Sequence, residues 1–212
     1  YAFKGPTWKR WEAVLKAATA AATDKGDALA RLAEFYEQTG RITDAIATWK
    51  QMLAVPVTGG GLAALKGDQL QTTGMAAISW LDMDVVEQSG LQSEDGKTAL
   101  AEAKSYDDQL RQAKQATALQ NMLDGRMELL HKNVPQAINY LTAADNAFTV
   151  PNMREWMRTK LTLAQAYDLQ QDWGLELKSI EQVLTAYPTA VTPMLRRAEV
   201  LLRLARYNEA LG

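Results

Sequence analysis

The sequence predicts an all-α chain that is built as an array of antiparallel helix hairpins. Apolar residues recur three and four positions apart along most of the chain, which is the spacing that keeps side chains on one face of a helix. A pattern of large and small residues also occurs twice, with the period of a helical-hairpin repeat: Leu163-Ala164, Tyr167, Trp173 and Pro188 precede Arg197-Ala198, Leu201 and Tyr207. Such a period indicates stacked hairpins, because a single hairpin cannot bury its apolar side alone.

The spacing inside these units resembles the tetratricopeptide repeat (TPR). In that family, helix A carries a large residue, then a small one, then an aromatic one three positions later, and helix B carries a small residue followed four positions later by a bulky one. The resemblance implies a right-handed superhelical α-solenoid whose A helices line a concave surface. It also implies a non-catalytic protein–protein interaction scaffold that takes a peptide or a partner protein on this surface, and it identifies no specific protein.

Composition and charge exclude several classes of function. The formal charge of −2 and the pI near 5.6 give no basic surface for a nucleic-acid partner. The absence of cysteine excludes disulfides, thiolate metal sites and a cysteine nucleophile. No apolar run approaches the ~20 residues that span a bilayer, and no signal peptide begins at Tyr1. We therefore expect a soluble bacterial chain, and the sequence leaves open whether it is cytoplasmic or periplasmic.

Residues 1–25 are predicted to form a single helix, the second half of a hairpin. Gly5-Pro6 opens this helix, because proline is tolerated in a first turn. Trp8 takes a position that aromatic residues also take in later units, whereas Trp11 stands where the family pattern expects a small residue. The two tryptophans either pack on the next hairpin or form an exposed apolar patch, through which the chain would self-associate.

Residues 26–59 are predicted to form the first complete repeat, and residues 60–93 a degenerate one. In the first, Gly40 is expected to supply a left-handed turn, and Trp49 to fill the groove between the two helices. The second keeps only small residues at the small or turn positions of the pattern, at Gly67, Gly74 and Ser79. The large and aromatic positions of the pattern are lost there.

A long helix is predicted over residues 97–132, where no proline occurs and only Gly125 interrupts the good helix formers. Such a helix would be roughly 50 Å long and would project past its neighbours. A break near residues 105–108 is the alternative. Residues 94–117 would be the extension of this helix, and its C-terminal part would serve as helix A of a repeat over residues 118–156.

The chain is predicted to end in a repeat over residues 157–190 and a truncated repeat over residues 191–212. Glu176 departs from the pattern, because it stands where helix B should have alanine. Either the close approach of the helices is relaxed there, or the carboxylate reaches solvent or a cation. Since the chain begins on a second helix and stops in an opening turn, we expect it to be a piece of a longer protein.

The sequence contains no motif for catalysis, for a cofactor or for a metal, so no enzyme activity is expected. His131 is the single histidine, and a cation at the end of a helix complements its dipole. Residues 58–61 with Lys66 lack the ending of a phosphate-binding loop. The carboxylate pairs Asp82-x-Asp84 and Asp107-Asp108 lack the further ligands of a calcium loop and are interpreted as solvated faces.

The resemblance nominates partner-binding positions on the A helices. These are Arg31, Glu34, Arg126, Thr162, Gln165, Arg196, Glu199 and Arg203. Each of them is equally well interpreted as an ordinary exposed helix residue. The chaperone-binding members clamp a terminal carboxylate with lysine and asparagine at such positions, and Ala30, Glu34 and Thr162 do not match that clamp. The alternatives to an interaction scaffold are a structural spacer, a self-associating module, or an accessory domain of a larger enzyme or export assembly.

Overall fold

The computed structural model describes residues 6–57, 62–113, 116–148 and 153–210, and the regular structure in these ranges is entirely helical. The helices are α1 (Pro6–Ala21), α2 (Lys25–Gln38), α3 (Ile42–Leu53), α4 (Leu62–Ser89), α5 (Glu94–Gln112), α6 (Thr117–Leu130), α7 (Val134–Ala147), α8 (Met153–Leu169), α9 (Trp173–Ala186), α10 (Val191–Arg203) and α11 (Tyr207–Ala210). They group into two compact units, α1–α5 and α6–α11. The predicted single array over residues 1–212 stays a prediction.

The first unit contains the hairpin α2–α3 that the sequence predicts. Gly40 lies in the turn at φ +72°, in the left-handed region that glycine adopts most easily. Ala33 and Ala45 are fully buried where the two helices approach, and Trp49 is fully buried in the same cluster. The Trp49 indole N–H donates to Glu37 Oε1 at 2.6 Å, so the buried ring keeps its polar atom paired.

The first unit also contains a second, longer hairpin, α4–α5. Helix α4 runs unbroken through 28 residues, so the expectation of two helices joined by a turn within residues 60–93 is wrong. Gly74 lies inside α4, where an added Cβ would stand 2.3 Å from Met52 Cε of α3. This glycine therefore permits the close approach of two helices. The turn lies at Gly90, which has φ +86°, and the Ser93 hydroxyl then caps α5 by accepting from the Gly96 amide at 2.9 Å.

The prediction of one helix over residues 97–132 is also wrong. Helix α5 continues through the alternative break near residues 105–108 and ends at Gln112, and α6 begins at Thr117. Ala113 stops α5 because its backbone is extended, with φ −81° and ψ 126°. The apolar spacing continues on both sides of the break, so it could not reveal the end of the helix. The longest helix among the described residues is α4, which precedes this region.

The second unit consists of the hairpins α6–α7 and α8–α9, followed by α10 and the short α11. Each helix packs on the next in chain order, and α6 also contacts α8. Gly125 is the close-approach residue of the first hairpin, because an added Cβ would stand 2.5 Å from Leu141 Cγ of α7. Fully buried Ile180, Val200 and Leu201 then join α9 to α10.

The turns of four hairpins share one hydrogen-bond pattern. The residue at the turn has positive φ, and the next amide donates to the carbonyl oxygen five positions earlier, at 2.9 Å in all four cases. This is the Schellman motif. The turn residues are Gly40, Lys132, Gln171 and Ala205. The hairpin α4–α5 differs, because the Gly90 amide donates to the Val86 carbonyl four positions earlier.

Candidate functional site

Two of the predicted partner-binding residues do not lie on the surface. Arg126 and Thr162 are both buried, the first on α6 and the second on α8, two helices that pack on each other. The Thr162 hydroxyl donates to the Arg158 carbonyl oxygen of its own helix at 2.8 Å. Neither residue presents a polar group to a partner, so both expectations are corrected. Their burial depends on a neighbouring helix, which the repeat offset alone does not reveal.

The predicted residues of the first unit are accessible in part. Arg31 is exposed, and its Nε donates to Asp27 Oδ2 one helical turn earlier at 3.1 Å. Glu34 is half-buried on the same helix. An exposed pair of this kind contributes little to stability, so Arg31 can be replaced without unfolding the hairpin.

The remaining predicted residues of the second unit lie in or beside an ionic cluster that joins α8 to α10. Asp168, near the C-terminal end of α8, accepts from Arg196 Nη2 at 2.6 Å and from Arg203 Nη1. Arg196 Nη1 also donates to Glu199 Oε2 at 3.3 Å. Partial burial opposes ionisation of Asp168, but hydrogen bonds from the two arginines hold its pKa below the usual value.

Arg196 additionally neutralises a buried carboxylate. Glu176, in the first turn of α9, is fully buried and accepts from Arg196 Nε at 2.6 Å, so the carboxylate has reached a cation. Its Oε2 accepts no hydrogen bond from any described residue. Burial raises the pKa of Glu176, and the charge of Arg196 works in the opposite direction. Arg196 is therefore part of the structural core of the cluster rather than a free groove side chain.

Exposed leucines accompany the accessible polar residues of α8 and α10. Leu169 is 58% exposed, Leu195 61% and Leu202 53%. On α8, Leu169 lies one turn after exposed Gln165, and on α10, Leu195 and Leu202 flank exposed Glu199. Leu169 follows Asp168, and Leu195 and Leu202 precede Arg196 and Arg203, the two arginines that bond to Asp168 across the helices. We therefore group Gln165, Leu169, Leu195, Glu199 and Leu202 and name them the α8–α10 face.

Sequence reasoning missed the three leucines because periodic leucines on a helix usually belong to the core. The sequence did contain a signal for exposed leucines, because the apolar residues of α10 occupy more than one side of the helix. Val200 and Leu201 are buried against the rest of the unit, while Leu195 and Leu202 lie on another side of the same helix. When a helix carries more apolar residues than its buried face needs, the remaining ones are available to contact a partner.

The two N-terminal tryptophans have different surroundings. Trp8 is half-buried, with the Arg41 guanidinium carbon 5.6 Å from its ring centroid, and the same guanidinium lies 4.4 Å from the Tyr36 ring. Arg41 is also bonded to Glu12 at 2.7 Å, which fixes α1 on the first hairpin. Trp11, by contrast, is 60% exposed. Of the predicted patch, only Trp11 is largely accessible.

An open cleft of about 510 Å³ lies where α2, α3 and α4 meet. Several of its polar groups are hydrogen-bonded or ion-paired within the fold itself. Asp24 caps α2 by accepting from the Asp27 amide at 3.0 Å and lies 3.4 Å from Lys66 Nζ. The Gln71 amide donates to two carbonyl oxygens at the end of α3 and beyond, each at 3.4 Å. The loop 58–61, which lacks the ending of a phosphate-binding motif, lies outside the described residues.

The described residues contain no group of three histidine, cysteine or acidic side chains placed to hold a metal. His131 is exposed and forms the C-terminal cap of α6. Within the described ranges, no helix is both long enough and apolar enough to cross a bilayer.

Comparisons with known proteins bear on the fold alone. No family model and no curated protein matches the chain. Among solved structures, the chain is similar to the crystal structure of a thermophilic TPR protein from Thermus thermophilus. The two share 18% sequence identity at a TM-score of 0.62, over 92% of this chain and 91% of that one. Together with the repeated hairpins and their Schellman turns, this likeness confirms the predicted class: the chain has a TPR-like, all-helical repeat fold.

Proposed function

We propose that this chain is a non-catalytic protein–protein interaction scaffold, and that it binds a peptide or partner protein on the A helices of its second unit. TPR-like folds generally mediate protein–protein interaction and are typically non-catalytic. The observation that carries the proposal is the α8–α10 face, where three exposed leucines lie among polar side chains. Exposed apolar side chains gathered on one surface and rimmed by polar groups are typical of an interaction site.

The ionic cluster gives this face a fixed framework. Asp168, near the end of α8, forms ion pairs with Arg196 and Arg203, which lie two turns apart on α10. These ion pairs hold the two helices together in the absence of a partner. A preorganised surface loses less conformational entropy on binding than a flexible one does. In this proposal the leucines supply the binding energy, and Gln165 and Glu199 supply polar contacts. Arg196 holds the helices beneath this surface in place through its ion pairs.

The test is a peptide-display selection on the wild-type chain, followed by measurement of the affinity of the selected peptides for two variants. The double substitution Leu195→Glu with Leu202→Glu should weaken binding by at least about tenfold, because each buried leucine contributes about 1.5–3 kcal/mol. Leu175→Glu is the matched control, since Leu175 is an exposed leucine on α9, a B helix. It should leave the affinity unchanged. Equal losses in both variants, or none in either, would refute this location.

Arg203→Glu and Arg31→Glu extend the test to charges. Arg203 is exposed and is bonded to Asp168, whereas Arg31 lies on α2 in the first unit. If the partner occupies the second unit, Arg203→Glu should lower the affinity and Arg31→Glu should not. The reverse order would move the binding surface to the first unit.

Self-association is the second candidate function, and exposed Trp11 favours it. Val14, one turn further along α1, is also about half exposed, so the two residues form a small apolar surface. Light scattering coupled to size-exclusion chromatography should then give a dimer that Trp11→Glu converts to a monomer. A wild-type chain that is monomeric at high concentration would rule this function out.

A further inference from the structure

Asp82 is a buried carboxylate in the first unit that the proposed interaction surface does not use. It lies on α4, the helix that packs on both α3 and α5, and it is only 3% exposed. Its Oδ2 atom accepts no hydrogen bond from the described residues. An ionised carboxylate in such a place is costly, because burial removes water and the protein supplies no donor in exchange.

The cation whose charge acts on Asp82 is paired with another carboxylate. Lys50 Nζ of α3 lies 2.5 Å from Glu102 Oε1 of α5, so this ion pair bridges the two helices that flank α4. The charges of both Lys50 and Glu102 act on Asp82. Tyr106 of α5 is also influenced by these three charges, and burial raises the pKa of its phenol. Two carboxylates thus compete for one ammonium group.

The balance of these charges favours a proton on Asp82. Burial and, to a smaller extent, the negative charge of Glu102 raise the pKa of Asp82, the positive charge of Lys50 lowers it, and the net result is a pKa of about 7. Near neutral pH, the cluster therefore exchanges one proton between a neutral state and a state with one excess negative charge.

We propose that Asp82, together with the Lys50–Glu102 ion pair, is a proton-controlled latch that holds helices α3, α4 and α5 packed against one another. When Asp82 is protonated, the cluster is neutral and the three helices stay packed. When the proton leaves, the buried carboxylate recovers hydration only if the helices separate. Loss of the proton therefore favours local opening.

Opening at this cluster would affect two hairpins of the first unit. Helix α3 belongs to the first hairpin and α4–α5 is the second, so the latch joins two successive hairpins of one unit. The contact α4–α5 also contains the buried hydrogen bond from the Ser79 hydroxyl to the Ala103 carbonyl oxygen, at 3.1 Å. The Ser79 bond and the Lys50–Glu102 pair would both break on opening, so the transition should be cooperative across the three helices.

Hydrogen exchange of backbone amides, measured between pH 5 and pH 8 and corrected for intrinsic exchange, tests the latch. In the wild-type chain the opening constant of α4 and α5 should rise by about tenfold for each pH unit up to the pKa of Asp82, and should level off above it. The amides of α6 and α7, in the other unit, should not follow this slope. A pH-independent opening constant in α4 and α5 would overturn the proposal.

Three substitutions separate the latch from a merely structural carboxylate. Asp82→Asn should keep the hairpin closed and remove the pH dependence, whereas Asp68→Asn, at an exposed position of the same helix, should leave it unchanged. Glu102→Gln should shift the midpoint of opening to lower pH, because it removes the negative charge that raises the pKa of Asp82. If Asp82→Asn retains the pH dependence, or if Glu102→Gln leaves the midpoint pH of opening unchanged, the proposed latch is refuted.

Discussion

Asp82 in the first unit and Glu176 in the second are both buried carboxylates on a helix that packs between two others, and they differ in their access to a cation. Arg196 Nε donates to Glu176 at 2.6 Å. Lys50, by contrast, is paired with Glu102 and acts on Asp82 only through its charge. Burial raises the pKa of both groups, so a bonded guanidinium offsets only part of the cost of removing water.

The two units differ in their turns as well. The described turns with positive φ have glycine in the first unit, at Gly40 and Gly90, and other residues in the second, at Lys132, Gln171 and Ala205. A left-handed conformation costs a residue with a Cβ roughly 1–2 kcal/mol. The second unit therefore keeps its Schellman turns despite backbone strain that the first unit avoids.

The largest expected effect comes from separating Glu176 from its cation. Arg196→Met should lower the free energy of unfolding by about 3–5 kcal/mol at pH 7, because it leaves a buried carboxylate without a partner. Urea unfolding measures the change. The double variant Arg196→Met with Glu176→Ala should recover much of the loss, since alanine is the residue that the repeat pattern expects there. A loss below about 1 kcal/mol, as for an exposed pair, would contradict the structural role of Arg196.

The next effect has the opposite sign and concerns Asp82. The pKa of Asp82 is about 7 in the folded chain and near 3.8 in the unfolded chain. Protonated Asp82 therefore makes its full contribution to the free energy of unfolding below the unfolded pKa, and this contribution is lost as the pH rises through the folded pKa. Asp82→Asn should therefore raise the free energy of unfolding by about 2–4 kcal/mol at pH 8, and by less at pH 5. Asp68→Asn is the control, and an Asp82→Asn gain that does not change with pH would contradict the assignment.

A smaller effect is expected at the turn of the first hairpin. Gly40 has φ +72°, and nothing lies within 4 Å of an added Cβ, so Gly40→Ala changes only the backbone energy. We expect a loss of about 1 kcal/mol in the free energy of unfolding, measured by urea titration. An unchanged stability would mean that the hairpin adopts another turn.

The smallest effect is the reciprocal change in the second unit. Gln171 is exposed and has φ +61°, so Gln171→Gly should relieve strain and raise the free energy of unfolding by about 0.5–1 kcal/mol. Lys178→Gly, in the interior of α9, provides the comparison, because glycine there should destabilise by about 1 kcal/mol. If both substitutions destabilise equally, the left-handed turn carries no strain.

The hairpin α2–α3 was predictable because its signals are local. Leu32, Ala33 and Tyr36 follow the helix A pattern, Gly40 marks the turn, and all four lie where the pattern places them. Residue Gly74 was ambiguous, since glycine serves both left-handed turns and close helix approaches. Only the nearby Met52 side chain shows that it serves the second purpose.

The candidate surface was predictable in part for the same reason. Repeat offsets selected Gln165 and Glu199, which are exposed, and their role in partner binding stays a prediction. They failed for Arg126 and Thr162, whose exposure depends on packing between α6 and α8. They also gave no weight to exposed Leu195 and Leu202, because an offset identifies a side of a helix without revealing whether another helix covers it.

The sequence by itself determined the helical class and the repeated hairpin, because both depend on the spacing of residues along one continuous stretch. Only the tertiary structure decided where the long hairpin lies and which charges are buried. Lys50, Asp82 and Glu102 are far apart in the chain, as are Asp168, Glu176 and Arg196, and each set meets only when three helices pack. Burial and distance to a cation are properties of that packing, so the two carboxylates with raised pKa values could not be recognised from their neighbours in sequence.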